Sequence, residues 1–244
     1  MKEIIKVEQL SKAYNGLPAI QNLNISVERG TVFGLLGANG AGKSSTIECI
    51  LGTKKQDGGT VSVLGMNPKT QRKQLFENVG VQFQDANYQE KITVGELCEV
   101  TGSLYKDAAD YQTLLEQFGI LDKEKNPVNE LSGGQRQRLF IVLALIPNPE
   151  VVFLDELTTG LDTKARRGVW TILSHLKAKG LTILLTSHFM DEVETLCDTI
   201  CILKKGQTAF YGTVGEAISS SPYDNFEDAY LWYSDEEVMD NENI

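Results

Sequence analysis

The stretch Gly37-Ala38-Asn39-Gly40-Ala41-Gly42-Lys43-Ser44-Ser45 carries the pattern G-x-x-x-x-G-K-[ST]. Its chemistry is the binding of phosphate. The glycines at 37, 40 and 42 let backbone N–H groups around Asn39 and Ala41 turn inward and approach phosphate oxygens closely. A helix opening near Lys43 aims its positive end at the same anion. Lys43 adds a charge that can reach the outer phosphates of a nucleotide. The hydroxyl of Ser44, with Ser45 beside it, can serve as an oxygen ligand to Mg²⁺.

A phosphate loop by itself does not separate one nucleotide enzyme from another. A second constellation narrows the chemistry. Val151-Val152-Phe153-Leu154-Asp155-Glu156 is an apolar run ending in two acids. Asp155 can hold Mg²⁺ through water, and Glu156 can orient or polarise a water that attacks a terminal phosphate. A third constellation is Leu131-Ser132-Gly133-Gly134-Gln135. Ser132 suits the cap of a helix whose N-terminus can take an anion. The segment is either a second phosphate contact or only a turn.

These groups need a scaffold. Val32–Leu36, Val79–Phe83, Val151–Leu154 and Leu181–Thr186 are short, non-alternating apolar runs, which suit strands covered on both faces of a parallel sheet. Lys43–Leu51 and Lys164–Lys179 have helical character, the second stopping at Gly180. Strand, helix, strand in this order predicts an α/β core with a mostly parallel sheet. Residues 1–30 and 58–65 read as short β segments forming a separate N-terminal antiparallel sheet. Between about 85 and 146 there is no clear strand. Thr93–Tyr105, Ala108–Phe118 and Ser132–Ile146 predict an inserted helical subdomain. Ile200–Leu203 and Thr208–Tyr211 predict a hairpin around Lys205-Gly206.

The 244 residues include 33 acids and 23 Lys+Arg, for a net charge of −10. Eight of the acids fall after residue 220, where there is no Lys or Arg, so the body is nearly neutral. That balance argues against general nucleic-acid binding and against a basic membrane-surface helix. The longest apolar run, Leu139–Ile146, is far short of the roughly 18–20 residues that span a bilayer. The charged start Met1-Lys2-Glu3-Ile4-Ile5-Lys6 does not read as a secretory signal. Cys49, Cys98, Cys197 and Cys201 lack metal-ligand spacing and are expected to be free, mostly buried thiols.

Together, the 37–45 loop, the 151–156 acidic strand and Leu131–Gln135 resemble the ABC ATPase family, the nucleotide-binding subunits of ATP-binding cassette transporters. The resemblance runs to about residue 220 and implies a P-loop NTPase core. It implies further roles, residue by residue. Tyr14, in Ser-Lys-Ala-Tyr-Asn-Gly, is similar to the aromatic that stacks on adenine. Gln84 is similar to the glutamine that touches Mg²⁺ and joins the core to the helical subdomain, with Gln82 as a competitor. Asp162, after Leu161, resembles the loop residue facing the opposite subunit, and His188 resembles the γ-phosphate histidine. His175 is expected to be merely exposed. Two positions depart from the family pattern. Leu157 stands where proline is usual, which would loosen the turn, and Ile146-Pro147-Asn148-Pro149 holds an extra proline.

The resemblance implies ATP with Mg²⁺ as cofactors. ATP on the 37–45 loop of one subunit would be covered by Ser132, Gly133, Gly134 and Gln135 of a second ATPase subunit, in a homodimer or heterodimer. A separate transmembrane permease would hold the pore, contacted near Gln84–Glu90 with Tyr88 as an anchor. This places the chain in the cytoplasm, peripheral at the inner face of the membrane. The run Thr186–Glu194 followed by Leu196-Cys197-Asp198 is similar to exporters of drugs, antibiotics, peptides or lipids. The alternatives are an importer ATPase, a soluble regulatory ATPase of the same family without a pore, and a nucleotide-dependent kinase. By domains, the cassette covers 1–220, a C-terminal helix 221–233 and an acidic tail 234–244. Within the C-terminal segment, Ser221-Pro222 can start a helix, and the aromatic stripe of Phe226, Tyr230 and Tyr233 predicts an ordered helix near 225–233 packed on the core.

Overall fold

The computed structural model describes residues 2–82 and 88–234. In chain order it begins with β1 (Glu3–Tyr14), β2 (Leu17–Glu28), β3 (Val32–Gly37), α1 (Lys43–Ile50) and β4 (Gly58–Val63). Next come α2 (Arg72–Phe76), β5 (Val79–Gln82), α3 (Val94–Gly102), α4 (Tyr111–Gln117), α5 (Gly133–Leu145), β6 (Val151–Leu154), α6 (Thr163–Ala178) and β7 (Thr182–Leu185). The chain continues through α7 (Met190–Leu196), β8 (Thr199–Lys204), β9 (Gln207–Gly212), α8 (Val214–Ser219) and α9 (Phe226–Ser234). These elements divide into two compact units, one of Met1–Thr70 with Thr186–Ile244 and one of Gln71–Leu185.

In the first unit, β1 lies antiparallel between β2 and β4, with Ile5 and Val7 opposite Val63 and Val61. Asn15 and Gly16 both have positive φ, which is what a two-residue hairpin turn requires. The strands are twelve residues long rather than the short segments expected. Irregular pairing in β1–β2, together with left-handed Gln9 and Asn22, breaks the period-two pattern that would have announced their length. Parallel β3 and β8, with antiparallel β9, form the second group of strands. Every residue of β3 is buried.

Helix α9 packs in this unit. Phe226 and Tyr230 join Leu36, Val193, Ile200, Ile202 and Ala217 in one apolar cluster, and the Tyr233 ring lies 5.0 Å from that of Phe210. The helix lies where the aromatic stripe predicts it, near 225–233, and later than Pro222 suggests. Asn225 Oδ1 accepts the Asp228 N–H at 2.9 Å, so Asn225 rather than the Ser221-Pro222 pair marks the N-terminal turn. Ser234 closes the helix instead of opening the tail, and residues 235–244 lie outside the described residues.

In the second unit, β5, β6 and β7 are parallel, with Val79 beside Val151 and Leu154 beside Leu185. β6 and β7 are buried at every residue, as their unbroken apolar runs required. Helices α3, α4 and α5 occupy the stretch between β5 and β6, and each starts on a polar cap: Thr93, Asp110 and Ser132. The caps trim the helices relative to the apolar periodicity, because a cap residue takes extended rather than helical dihedrals. The architecture is α/β, with an antiparallel N-terminal sheet, mostly parallel strands elsewhere and a helical segment before β6.

Candidate active site

The 37–45 loop leaves the buried strand β3 and enters α1. Gly37, Gly40 and Gly42 all have positive φ, at 142°, 80° and 106°. At Gly37 a Cβ would lie 2.4 Å from the Leu203 carbonyl oxygen, and at Gly42 it would lie 2.6 Å from that of Ala19. These two positions therefore demand glycine for space as well as for conformation. Gly40 faces open space, and Asn39 beside it is exposed. Lys43 is buried, and its Nζ donates to the carbonyls of Gly37 at 2.6 Å and Ala38 at 3.2 Å. The ammonium is thus held over the loop it would serve. Ser44 is exposed at the first turn of α1, and Ser45 Oγ lies 3.3 Å from the Tyr14 hydroxyl.

The loop is also braced from outside. The Gly206 N–H donates to the Ala41 carbonyl at 3.0 Å, and the Gln21 N–H donates to the Gly206 carbonyl at 2.8 Å. Sequence reasoning saw Lys205-Gly206 only as a hairpin turn. Nothing near it in the chain signals a contact with residue 41.

Tyr14, 37% exposed, has the Lys12 and Lys54 ammonium groups 5.2 and 5.4 Å from its ring centroid. Both lysines are tied to acids, Lys12 to Asp57 and Lys54 to Glu48. The hydrogen bond from Glu48 holds the Lys54 ammonium above its usual range. The Ala13 N–H, and then Lys12, hold the Asp57 carboxyl below its own. Tyr14 is accordingly an aromatic face with positive flanks at the edge of the loop. His188, in the same unit, is exposed, with Thr186 and Ser187 buried before it. The Phe189 N–H donates to Ser187 Oγ at 3.0 Å and fixes the bend there.

In the second unit, Asp155 and Glu156 follow β6 and are half-buried. Glu156 has φ of 51°, a left-handed conformation that non-glycine residues take at a cost of about 1–2 kcal/mol. Gln137 of α5 donates from Nε2 to the carbonyls of Glu156 at 3.2 Å and Leu157 at 2.9 Å. The Leu157 side chain is wholly buried. The loosening expected from leucine in place of proline is therefore offset by burial and by these two bonds. Sequence reasoning missed Gln137, because its partner lies nineteen residues away and no local pattern marks it.

Ser132 and Gln135 form a capping box at the start of α5: Ser132 Oγ accepts the Gln135 N–H at 3.3 Å, and Gln135 Oε1 accepts the Ser132 N–H at 3.0 Å. Ser132 and Gly133 are exposed, so this helix end is open to an anion. Gly134 is different: a Cβ there would stand 3.1 Å from Leu161 Cδ2. Asp162 caps α6, accepting the Ala165 N–H at 2.9 Å. The second unit thus brings the start of α5 against the 156–161 turn. Gln84 lies outside the described residues, Gln82 is buried on β5, and the Tyr88 ring lies 6.3 Å from that of Phe140.

The four cysteines are free thiols, and Cys49, Cys98 and Cys201 are buried. Burial pushes Cys98 and Cys201 up to about 12, where a thiol is neither nucleophile nor ligand near neutral pH. Among the described residues no group of three or more His, Cys, Asp and Glu side chains could hold a metal ion.

Residues 20–159 match the family described as ABC transporter. The Nod factor export ATP-binding protein I of Ralstonia nicotianae is 40% identical over 221 residues, spanning 88% of this chain and 69% of that protein. The daunorubicin/doxorubicin resistance ATP-binding protein of Streptomyces peucetius is 37% identical over 221 residues, spanning 88% of this chain and 67% of that one. Among solved structures, an ATP-binding subunit of an ABC transporter superposes with a TM-score of 0.86 at 25% identity, over 94% of this chain and 99% of that one. A glycine cradle closed by a buried lysine, an acidic pair ending a buried strand and an open Ser-Gly-Gly helix start are thus found in a chain that belongs to the ABC transporter ATP-binding family.

Proposed function

We propose that this chain is the ATP-hydrolysing subunit of an exporter whose pore is a separate membrane polypeptide. The observation that carries the reading is the 37–45 loop, where three left-handed glycines lead into α1 and the Lys43 ammonium is held against the loop carbonyls of Gly37 and Ala38. Export rests on the two relatives named above, which are ATP-binding proteins of Nod factor export and of drug resistance. Among the described residues no helix is long and apolar enough to cross a membrane. The family resemblance, rather than that absence, is the ground for assigning the pore to a partner and the chain to the cytoplasmic face through it.

The oxygen donors fit Mg²⁺, a hard cation that favours such ligands: the exposed Ser44 hydroxyl and the half-buried Asp155 carboxylate would hold it, with Gln84 as a further ligand. Bound there, it would neutralise charge on the outer phosphates. Backbone N–H groups from Gly37 to Ser45 hold the phosphates, and Lys43 exchanges its carbonyl partners for phosphate oxygens. Tyr14 stacks on the base. Stacking accepts any base, so ATP is favoured only weakly over GTP. Glu156 orients the attacking water and takes its proton, and His188 faces the γ-phosphate. Ser132, Gly133 and Gly134 of a second subunit cover the nucleotide, with Gln135 holding their helix end in shape and Asp162 facing the same interface.

The test is Glu156→Gln in the full chain. ATP binding should persist, turnover should fall about 100-fold or more, and an ATP-dependent dimer should accumulate on size exclusion. Undiminished turnover would remove Glu156 from this role. Release of a phosphorylated acceptor instead of free phosphate would replace hydrolysis by a kinase reaction. Purification from membranes should recover a membrane protein with the chain, and an active chain with no such partner would remove the exporter assignment.

A further inference from the structure

Glu156 is the residue assigned to the attacking water, yet its backbone sits in a conformation that L-residues avoid. Something must hold it there. Its carbonyl accepts from two directions, the Thr159 N–H at 3.2 Å within the turn and Gln137 Nε2 at 3.2 Å from α5. The same Nε2 also donates to the Leu157 carbonyl at 2.9 Å. Gln137 thus spends its amide on consecutive carbonyls, one of them on Glu156 itself.

Gln137 is the fifth residue of α5, four residues past Gly133 and one turn from the open helix start. That start makes a second contact with the same turn, since Gly134 lies against Leu161. Arg138, the next residue, anchors the helix on the other side, donating to the Phe118 carbonyl at 2.9 Å. α5 and the 156–161 turn therefore meet at two points one helical turn apart.

We propose that Gln137 is a positioning residue for Glu156, and that through it the state of the Ser132-Gly133-Gly134 end of α5 sets the aim of the Glu156 carboxylate. The inference rests on the role given above to Glu156. In that arrangement, the end of α5 covers nucleotide held by a second subunit, while Glu156 acts on nucleotide held by its own. A shift of α5 on nucleotide capture moves Gln137, and Gln137 moves the Glu156 backbone. One amide then makes hydrolysis at one nucleotide depend on occupancy at the other.

The experiment compares the full chain with Gln137→Met, which keeps length and removes the donor, and Gln137→Lys, which returns a donor of similar reach. In Gln137→Met, kcat should fall about 10- to 100-fold with KM for ATP nearly unchanged. Gln137→Lys should recover part of that loss. Hydrogen exchange in the nucleotide-free chain supplies a readout independent of turnover. The Thr159 amide, whose acceptor is the Glu156 carbonyl, should exchange at least about tenfold faster in Gln137→Met. In a Glu156→Gln background, the ATP-trapped dimer should form equally well with or without Gln137→Met, because no aimed carboxylate remains to be lost. Unchanged kcat and unchanged Thr159 exchange would overturn the proposal. So would a loss of dimer trapping, which marks a merely structural residue. If Gln137→Met does not fold, Gln137→Glu, which keeps length and shape and has no donor, carries the same comparison, and unchanged kcat with unchanged Thr159 exchange in that variant would overturn it. Absence of turnover in the unsubstituted chain would instead count against the function on which the inference rests.

Discussion

The loop at 37–45 and the turn at 155–162 each follow a buried strand, and each contains left-handed backbone beside its reactive groups. They reach that state by opposite means. In the loop, the left-handed residues are glycines, and the reactive Lys43 is tied to carbonyls five and six residues away. In the turn, the left-handed residue is Glu156 itself, and its carbonyl is held by Gln137 of α5, nineteen residues upstream, as well as by the Thr159 N–H within the turn. The loop thus carries constraints of its own beside the brace that Gly206 places on Ala41. A turn constrained from elsewhere can be switched by moving the element that constrains it. The phosphate loop is built to bind, and the acidic turn is built to be governed.

Three substitutions would break or sharpen this contrast. The largest effect is expected at Gly42→Ala. The added Cβ meets the Ala19 carbonyl on a backbone that alanine disfavours, so stability should drop by about 1–3 kcal/mol and ATP affinity by about tenfold or more. Denaturant unfolding and nucleotide titration check both. A silent Gly42→Ala would mean that the loop is not the rigid partner in the comparison.

Ser132→Ala is expected to be intermediate. It removes the acceptor for the Gln135 N–H and should lower stability by about 1 kcal/mol. ATP binding to the free chain should stay unchanged, because the cap belongs to the far side of the interface. Turnover should fall, because the helix end that governs Glu156 frays. Equal loss of binding and turnover would put Ser132 at its own subunit's nucleotide.

The smallest effect is the most discriminating. Glu156→Gly relieves the left-handed backbone, a gain reduced by the entropy of glycine in the unfolded chain. The net should be a stabilisation of about 0.5 kcal/mol alongside loss of turnover. Glu156→Gln, which keeps the backbone demand, should leave the melting temperature where it is. A destabilised Glu156→Gly would show that the turn holds no strain.

Much of the fold was legible in the sequence. The buried strands β3, β6 and β7 announced themselves as unbroken apolar runs, and Ser132 as the cap of α5, whereas the caps Thr93, Asp110 and Asp162 were not read, because apolar periodicity does not mark the residue where extended dihedrals give way to helical ones. Strands β1 and β2 were under-read, because left-handed Gln9 and Asn22 interrupt the alternation. The helix near 225–233 was legible from its aromatic stripe, whereas Pro222 and Asn225 are both good helix openers and only the Asn225–Asp228 bond decides between them. In the site, the loop, the acidic pair and the Ser-Gly-Gly start were each readable as residue types at fixed spacing. The brace from Gly206 to Ala41 and the hold of Gln137 on Glu156 were not, because each joins positions far apart in the chain.

The sequence by itself determined which groups are present: a lysine and glycines for phosphate, two acids at a strand end, a Ser-Gly-Gly helix start, and an acidic C-terminal stretch. Spacing over a few residues fixes such motifs, since their constraints are local dihedrals and nearest-neighbour hydrogen bonds. Only the tertiary structure decided what holds them. Packing put Leu203 and Ala19 where no side chain fits at residues 37 and 42. It put Gln137 on the carbonyl of Glu156. Contacts between distant segments follow from how the elements pack, and no run of neighbouring residues encodes that.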